Sequence, residues 1–222
     1  MMYNDIWHKI NQNINLSIPI IERKDVYLEI KKVTIFLNSL ENCNYFFSCG
    51  TALGLVREGR LLDWDTDVDI DVIEPNESTI NEIIHRMEEL GYSYLRKLKS
   101  KDIYSQIVFT KEPHHSIDFC FWYKERNFFI NDVPETKLFK RSHPLNIYKE
   151  FKYLRVQNID FRIPFDTESY FKLLYGGDWQ TPKKYTNWFK NANDLKIDYN
   201  LFNILNKIIW RINIFFDKKK NS

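Results

Sequence analysis

The chain has 222 residues, 44% hydrophobic and 28% charged, with 13 Tyr, 17 Phe and 6 Trp, enough apolar material for a buried core and too much for intrinsic disorder. A net charge of +2 provides no global field that would draw a polyanion, so nucleic acid is not expected as a partner. Cys43, Cys49 and Cys120 are an odd set without a C-x-x-C pair, which suggests neither a disulfide framework nor a zinc site and fits a reducing cytoplasm.

The start, Met1 to Asp5, lacks the basic and apolar run of a signal peptide, and no apolar stretch is long enough to span a bilayer. A cytoplasmic protein is expected. Val26, Ile30, Val33, Leu37 and Leu40 recur at helical spacing and predict an amphipathic helix within 21–42. A short strand at Tyr45–Ser48 follows, then a helix opened by Gly50-Thr51, running to about Glu58 and stopped by Gly59. From Asp67 to Ile73 acidic and aliphatic residues alternate, the period of a strand with one buried face, with Val68, Ile70 and Val72 towards the core. A helix over Thr79–Leu90 is predicted, with Thr79 to Glu82 as a capping box and Gly91 as its terminator.

Strands are expected at Ile103–Thr110, Ser116–Tyr123 and around Tyr153–Ile163. Asp166 caps a helix through Tyr175, ended by Gly176-Gly177. A last helix covers about 199–217, where Leu201, Ile204, Leu205, Ile208, Ile212 and Phe215 form a stripe near Lys207, Arg211 and Lys218–Lys220. Such a helix either packs on its own domain or lies on an anionic membrane surface, a peripheral position on the inner face. No repeat or linker divides the chain, so the expectation is one α/β domain, a mixed sheet flanked by helices, with a core over about 21–185.

Asp63, Asp65, Asp67, Asp69 and Asp71 occupy every second position, so any extended part of the segment puts its carboxylates on one side. Packing them requires protons, a basic partner or a cation, and hard divalent ions take carboxylate oxygen readily. Mg²⁺ or Mn²⁺ is the expected cofactor. The competing readings are a solvated strand edge and a calcium loop from Asp63 to Glu74, which Val68 opposes at the position requiring glycine. Asp118, a lone acid in an aromatic run, is the candidate third ligand, or a buried acid paired with a base.

The stretch from Cys49 to Gly59, CGTALGLVREG, with Leu62 to Ile70, LDWDTDVDI, resembles the signature of the LicD family of bacterial phosphocholine transferases, fukutin and fukutin-related protein. Leu174 to Pro182, LYGGDWQTP, resembles its second block. The resemblance implies a nucleotidyltransferase fold, a CDP-activated donor, and transfer of a phosphoalcohol to a sugar hydroxyl of a cell-surface glycan, free or lipid-linked. It implies Asp67, Asp69 and Asp118 as metal ligands, and Asp118 or Asp65 as base. Gly50 and Thr51 would approach the donor phosphates, where a helix start offers unpaired N–H groups. Arg57 would clamp a phosphate or pair with an aspartate, Trp64 would stack on the donor or pack, and Asp178 and Trp179 enter by resemblance alone. Thr66 stands where the family commonly has an acid. Rival functions are nucleotidyl transfer and a non-catalytic glycan- or nucleotide-binding module.

Overall fold

The computed structural model describes residues 25–100, 102–111, 115–132, 139–183 and 193–197. Helix α1 (Val26–Ser39) buries Val26, Ile30, Val33 and Leu37 of the predicted stripe, while Leu40, its fifth member, is the half-buried, extended residue that ends the helix. Strand β1 (Asn44–Phe47) leads into α2 (Cys49–Arg57), and β2 (Val68–Ile73) into α3 (Glu77–Glu89). Then come β3 (Ser93–Ser100), β4 (Ile103–Lys111), β5 (His115–Glu125), β6 (Phe128–Asp132) and β7 (Phe139–Pro144). A 3₁₀ turn (Leu145–Tyr148), β8 (Phe151–Val156), β9 (Ile159–Pro164), α4 (Thr167–Tyr175) and β10 (Leu195–Ile197) complete the described chain.

The fold is α/β, with a mixed eight-stranded sheet. Its path runs β1-β2-β5-β6-β7-β10, and the β3–β4 hairpin joins through β4 to β5. Only β2 and β5 are parallel along this path, which sets Asp69 beside Asp118 and Asp71 beside Cys120. A separate two-stranded sheet, β8–β9, packs its Phe161 ring on Phe47 at 4.8 Å. Tyr45, Phe46, Phe47, Phe119, Phe121 and Trp122 are fully buried, and each such side chain contributes about 1.5–3 kcal/mol. That burial fixes β1 and β5 on either side of β2, and β2 and β5 are the strands that carry Asp69, Asp71 and Asp118.

Several expectations are corrected. The cap of α3 is Asn76, whose Oδ1 accepts from Thr79 N at 2.8 Å; Thr79 sits in the first turn and donates its hydroxyl to the same oxygen at 3.0 Å. The run around Tyr153–Ile163 is a hairpin, reversed at Gln157 and Asn158, both with positive φ (49° and 59°), as a tight primed turn requires. Strand β2 is covered on both faces, since Asp71 is as inaccessible as Ile70. The segment before it turns at Asp63 and Trp64, so the one-sided row of carboxylates covers only its end. Asp166 caps α4 by accepting from Ser169 N at 3.0 Å, as read from the sequence. The helix at 199–217 lies outside the described residues. Among the described residues, no helix is long and apolar enough to cross a membrane.

Candidate active site

The acidic residues converge at the junction of α2, the 58–67 turn and β2. One carboxylate oxygen from each of Asp65, Asp67 and Asp69 lies within 4.8 Å of the others. Asp118 lies outside that 4.8 Å group but pairs with Asp69 on the adjacent parallel strand, near enough for its charge to act on Asp65 and Asp69. Asp63 takes no part, because it forms an exposed bidentate pair with Arg60.

The start of α2 holds this cluster in shape. Gly50 N donates to Asp69 Oδ2 at 3.2 Å, and Asp69 N donates to Thr51 Oγ1 at 2.9 Å. Both residues expected to meet donor phosphate thus orient an aspartate. Gly50 is required by space: a Cβ there would fall inside van der Waals distance of Asp65 Oδ2 and 3.1 Å from its Cγ. Cys49, before it, has φ 45° and donates its N–H to the buried Tyr170 hydroxyl at 3.0 Å.

Burial, followed by the charge of Asp67, pushes Asp65, Asp69 and Asp118 well above the usual carboxylate range. On Asp118 this outweighs the opposing pull of Arg96, Gln106 and Ser116. Two buried oxygens, Asp65 Oδ2 and Asp118 Oδ1, accept no hydrogen bond. Clustered carboxylates with orphaned acceptors and raised proton affinity fit a hard divalent cation, which supplies the missing positive charge without protonation.

Arg57 stands at the end of α2. Its guanidinium pairs with Glu58 at 2.8 Å, donates to Trp179 O at 3.4 Å and lies 5.9 Å from the Trp64 ring centroid. Its acidic partner is therefore Glu58 and not one of the aspartates. Trp179 packs its ring on Phe171 at 4.8 Å, whereas Asp178 is exposed and paired with Lys183. The two sequence blocks are thus joined by the Arg57–Trp179 contact.

A buried polar chain that sequence reading missed lies behind the cluster. Tyr148 donates to Asp71 Oδ2 at 2.7 Å and contacts His143 Nδ1 at 2.6 Å; His143 Nε2 meets Asp194 Oδ2 at 2.8 Å, which also accepts from Arg141 Nε at 2.8 Å. Burial is outweighed at Asp194 by Arg141 and His143, which hold it below the usual carboxylate range. Burial pushes the His143 imidazole down, against the pull of Asp194. Arg141 and His143 sit in a polar stretch without periodicity, and Asp194 is some fifty residues further on, so only Asp71, as a member of the acidic run, was visible.

The sequence profile described as LicD/FKTN/FKRP, nucleotidyltransferase domain, matches residues 42–166, more than half of the chain. The ribitol-5-phosphate transferase FKTN of Macaca fascicularis is 23% identical over 154 residues, covering 68% of this chain and 32% of its own length. The uncharacterized protein RP689 of Rickettsia prowazekii is 31% identical over 106 residues, covering 39% of this chain and 40% of its own. The chain therefore spans about a third of the fukutin relatives it matches. The lincosamide antibiotic adenylyltransferase LnuA, bound to lincomycin, superposes with a TM-score of 0.41 at 14% identity, covering 60% of this chain and 78% of that one.

Proposed function

The chain belongs to the LicD/FKTN/FKRP nucleotidyltransferase-domain family, and from that premise we propose that it transfers a phosphoalcohol, phosphocholine or a polyol phosphate, from a CDP-linked donor to a sugar hydroxyl of a cell-surface glycan. The observation that carries this reading is the convergence of Asp65, Asp67 and Asp69 within 4.8 Å, with Asp118 on the adjoining strand.

Asp67, Asp69 and Asp118 would hold Mg²⁺ or Mn²⁺. Such an ion offsets the charge of the donor phosphates and of the departing CMP. In the transfer, the acceptor oxygen bonds to the phosphorus bearing the alcohol while the bridging P–O bond breaks and CMP takes that electron pair. Asp65 receives the acceptor's hydroxyl proton; its orphaned Oδ2 and raised proton affinity suit a base working near neutrality. Gly50 and Thr51 keep Asp69 in place, and Arg57 lies over the half-buried Trp64 ring, whose aromatic face suits a quaternary ammonium head group or a sugar, while the Arg57 bond to the backbone of the buried Trp179 ties the second block to this side of the site.

CMP release would be measured with Mg²⁺ or Mn²⁺ from CDP-choline, CDP-ribitol and CDP-glycerol, with acceptor glycans and Asp69→Ala as control. Metal-dependent, acceptor-stimulated release from one donor, lost in the variant, is expected. A nucleotide adduct with released pyrophosphate would move the assignment to nucleotidyl transfer. A folded protein that binds glycan equally well with Asp69→Ala and turns nothing over would be a binding module.

A further inference from the structure

The pairing register of β2, β5, β4 and β3 sets up a row across the sheet. Asp69 pairs with Asp118, Asp118 with Val108, and Val108 with Arg96. Directly paired residues share a face, so all four side chains lie on the same side as the acidic cluster. Val108 cannot hydrogen-bond, and the polar connection passes around it through Gln106, two residues along β4 on that face. Arg96 Nη2 donates to Gln106 Oε1 at 2.7 Å, and Gln106 Nε2 donates to Asp118 Oδ2 at 3.0 Å.

This chain of two bonds is directional. An amide side chain can point either its oxygen or its nitrogen at a carboxylate, and only the nitrogen binds. The Arg96 guanidinium, which has no acceptor, takes the amide oxygen and so commits the nitrogen to Asp118. One carboxylate oxygen is thereby occupied. The other, Oδ1, belongs to a residue only 7% exposed and accepts nothing. Ser116, two residues away on the same face, stands near the carboxyl without closing a hydrogen bond to Oδ1.

We propose that Gln106 and Arg96 are positioning residues that lock the Asp118 carboxyl so that Oδ1 alone is presented to the divalent ion. The inference rests on the reading of the cluster as a metal site. It adds to that reading a supporting layer on an edge hairpin, far in sequence from either motif block. Without the amide, Asp118 is free to rotate and to offer either oxygen, and ordering it again is charged against metal binding. Removal of a group that orients a ligand typically weakens metal affinity about 10–100-fold.

The test is Mn²⁺ binding by electron paramagnetic resonance titration of the metal-free full chain, with circular dichroism melts run in parallel. Gln106→Met keeps the volume and loses both polar atoms; Arg96→Met leaves the amide unoriented. The expected result is a Kd raised about 10-fold or more in Gln106→Met, a smaller rise in Arg96→Met, and no additional effect of Arg96→Met in the Gln106→Met background. A residue that merely supported the hairpin would lower the melting temperature and leave Kd unchanged. Wild-type Mn²⁺ affinity in folded Gln106→Met, with binding abolished in Asp69→Ala, would overturn the positioning role while keeping the metal site. No Mn²⁺ binding by the wild-type protein would overturn both.

Discussion

Replacing Gly50 by Ala separates the demands of the site from those of the fold. Gly50 is the second residue of α2, with no positive φ to forbid a side chain, and Ala is favoured over Gly there by at most about 1 kcal/mol, the value for a helix interior. The three atoms nearest the new methyl all belong to the Asp65 carboxyl, the end of a flexible side chain. Forcing that side chain off its rotamer costs about 0.5–1.5 kcal/mol, so the two terms nearly cancel and Tm should stay within about 4 °C of wild type. The site cannot compensate in this way. To reach ordinary contact the Asp65 oxygen must retreat about 1 Å, a misplacement that costs about 100-fold in rate. The assay is CMP release at saturating donor, beside a thermal melt. A Gly50→Ala protein that keeps the wild-type rate would refute the assignment of Asp65 as base, as would a further loss when Gly50→Ala is added to Asp65→Ala. Gly54 is the contrast: a Cβ there meets Arg60 O at 2.7 Å and Leu62 N at 2.8 Å. Both are backbone atoms, so Gly54→Ala should lose about 1–3 kcal/mol and drop in Tm.

Three other outcomes are expected. The carboxyls of Asp65, Asp69 and Asp118 bind protons more tightly folded than unfolded, so their contribution to metal-free stability declines as pH rises from about 4 through their raised values. Differential scanning fluorimetry should show this slope flattened in Asp69→Asn. Mg²⁺ or Mn²⁺ at 100 times its Kd should stabilise the protein by about 2.7 kcal/mol, a Tm rise of about 5–10 °C for a chain of this size, and by less as pH falls. Asp194→Asn leaves Arg141 buried without its carboxylate and should cost about 3–5 kcal/mol at neutral pH in urea denaturation. Because the Asp194 carboxyl is depressed in the fold, that advantage exists above about pH 4 and is lost as pH falls below it, so the gap between the two proteins should narrow in acid.

The sequence made the acidic centre legible because regular spacing of like charges demands a chemical explanation, and the stripe of α1 and the cap of α4 were legible because their signals are local. Strand β3 was not, since SYLRKLKS is a basic edge strand without an alternating apolar face. The Asn76 cap was missed because Thr79 to Glu82 matches the capping-box pattern, and only backbone geometry shows that the helix has already begun at Glu77. Gln106 and Asp194 owe their importance to pairing register and to contacts across 12 and 51 residues, which no window of sequence contains. Gly50 was expected to let backbone approach a donor phosphate; the close neighbour visible in the structure is the protein's own carboxyl, Asp65, a contact that sequence does not show.

The parallel pairing of β2 with β5 also bears on the order in which the molecule assembles. Asp69 and Asp118 become neighbours only after α3 and the β3–β4 hairpin have been spanned, and non-local pairings of this kind form slowly. During most of folding each aspartate remains hydrated and feels little repulsion from the others. Electrostatic strain then arises only where β5 pairs with β2 and the carboxylates are brought together. If this pairing completes after the main kinetic barrier, a divalent ion that relieves the strain should slow unfolding while leaving the refolding rate nearly unchanged, so cation supply would govern how long the folded protein persists and have little influence on how fast it forms.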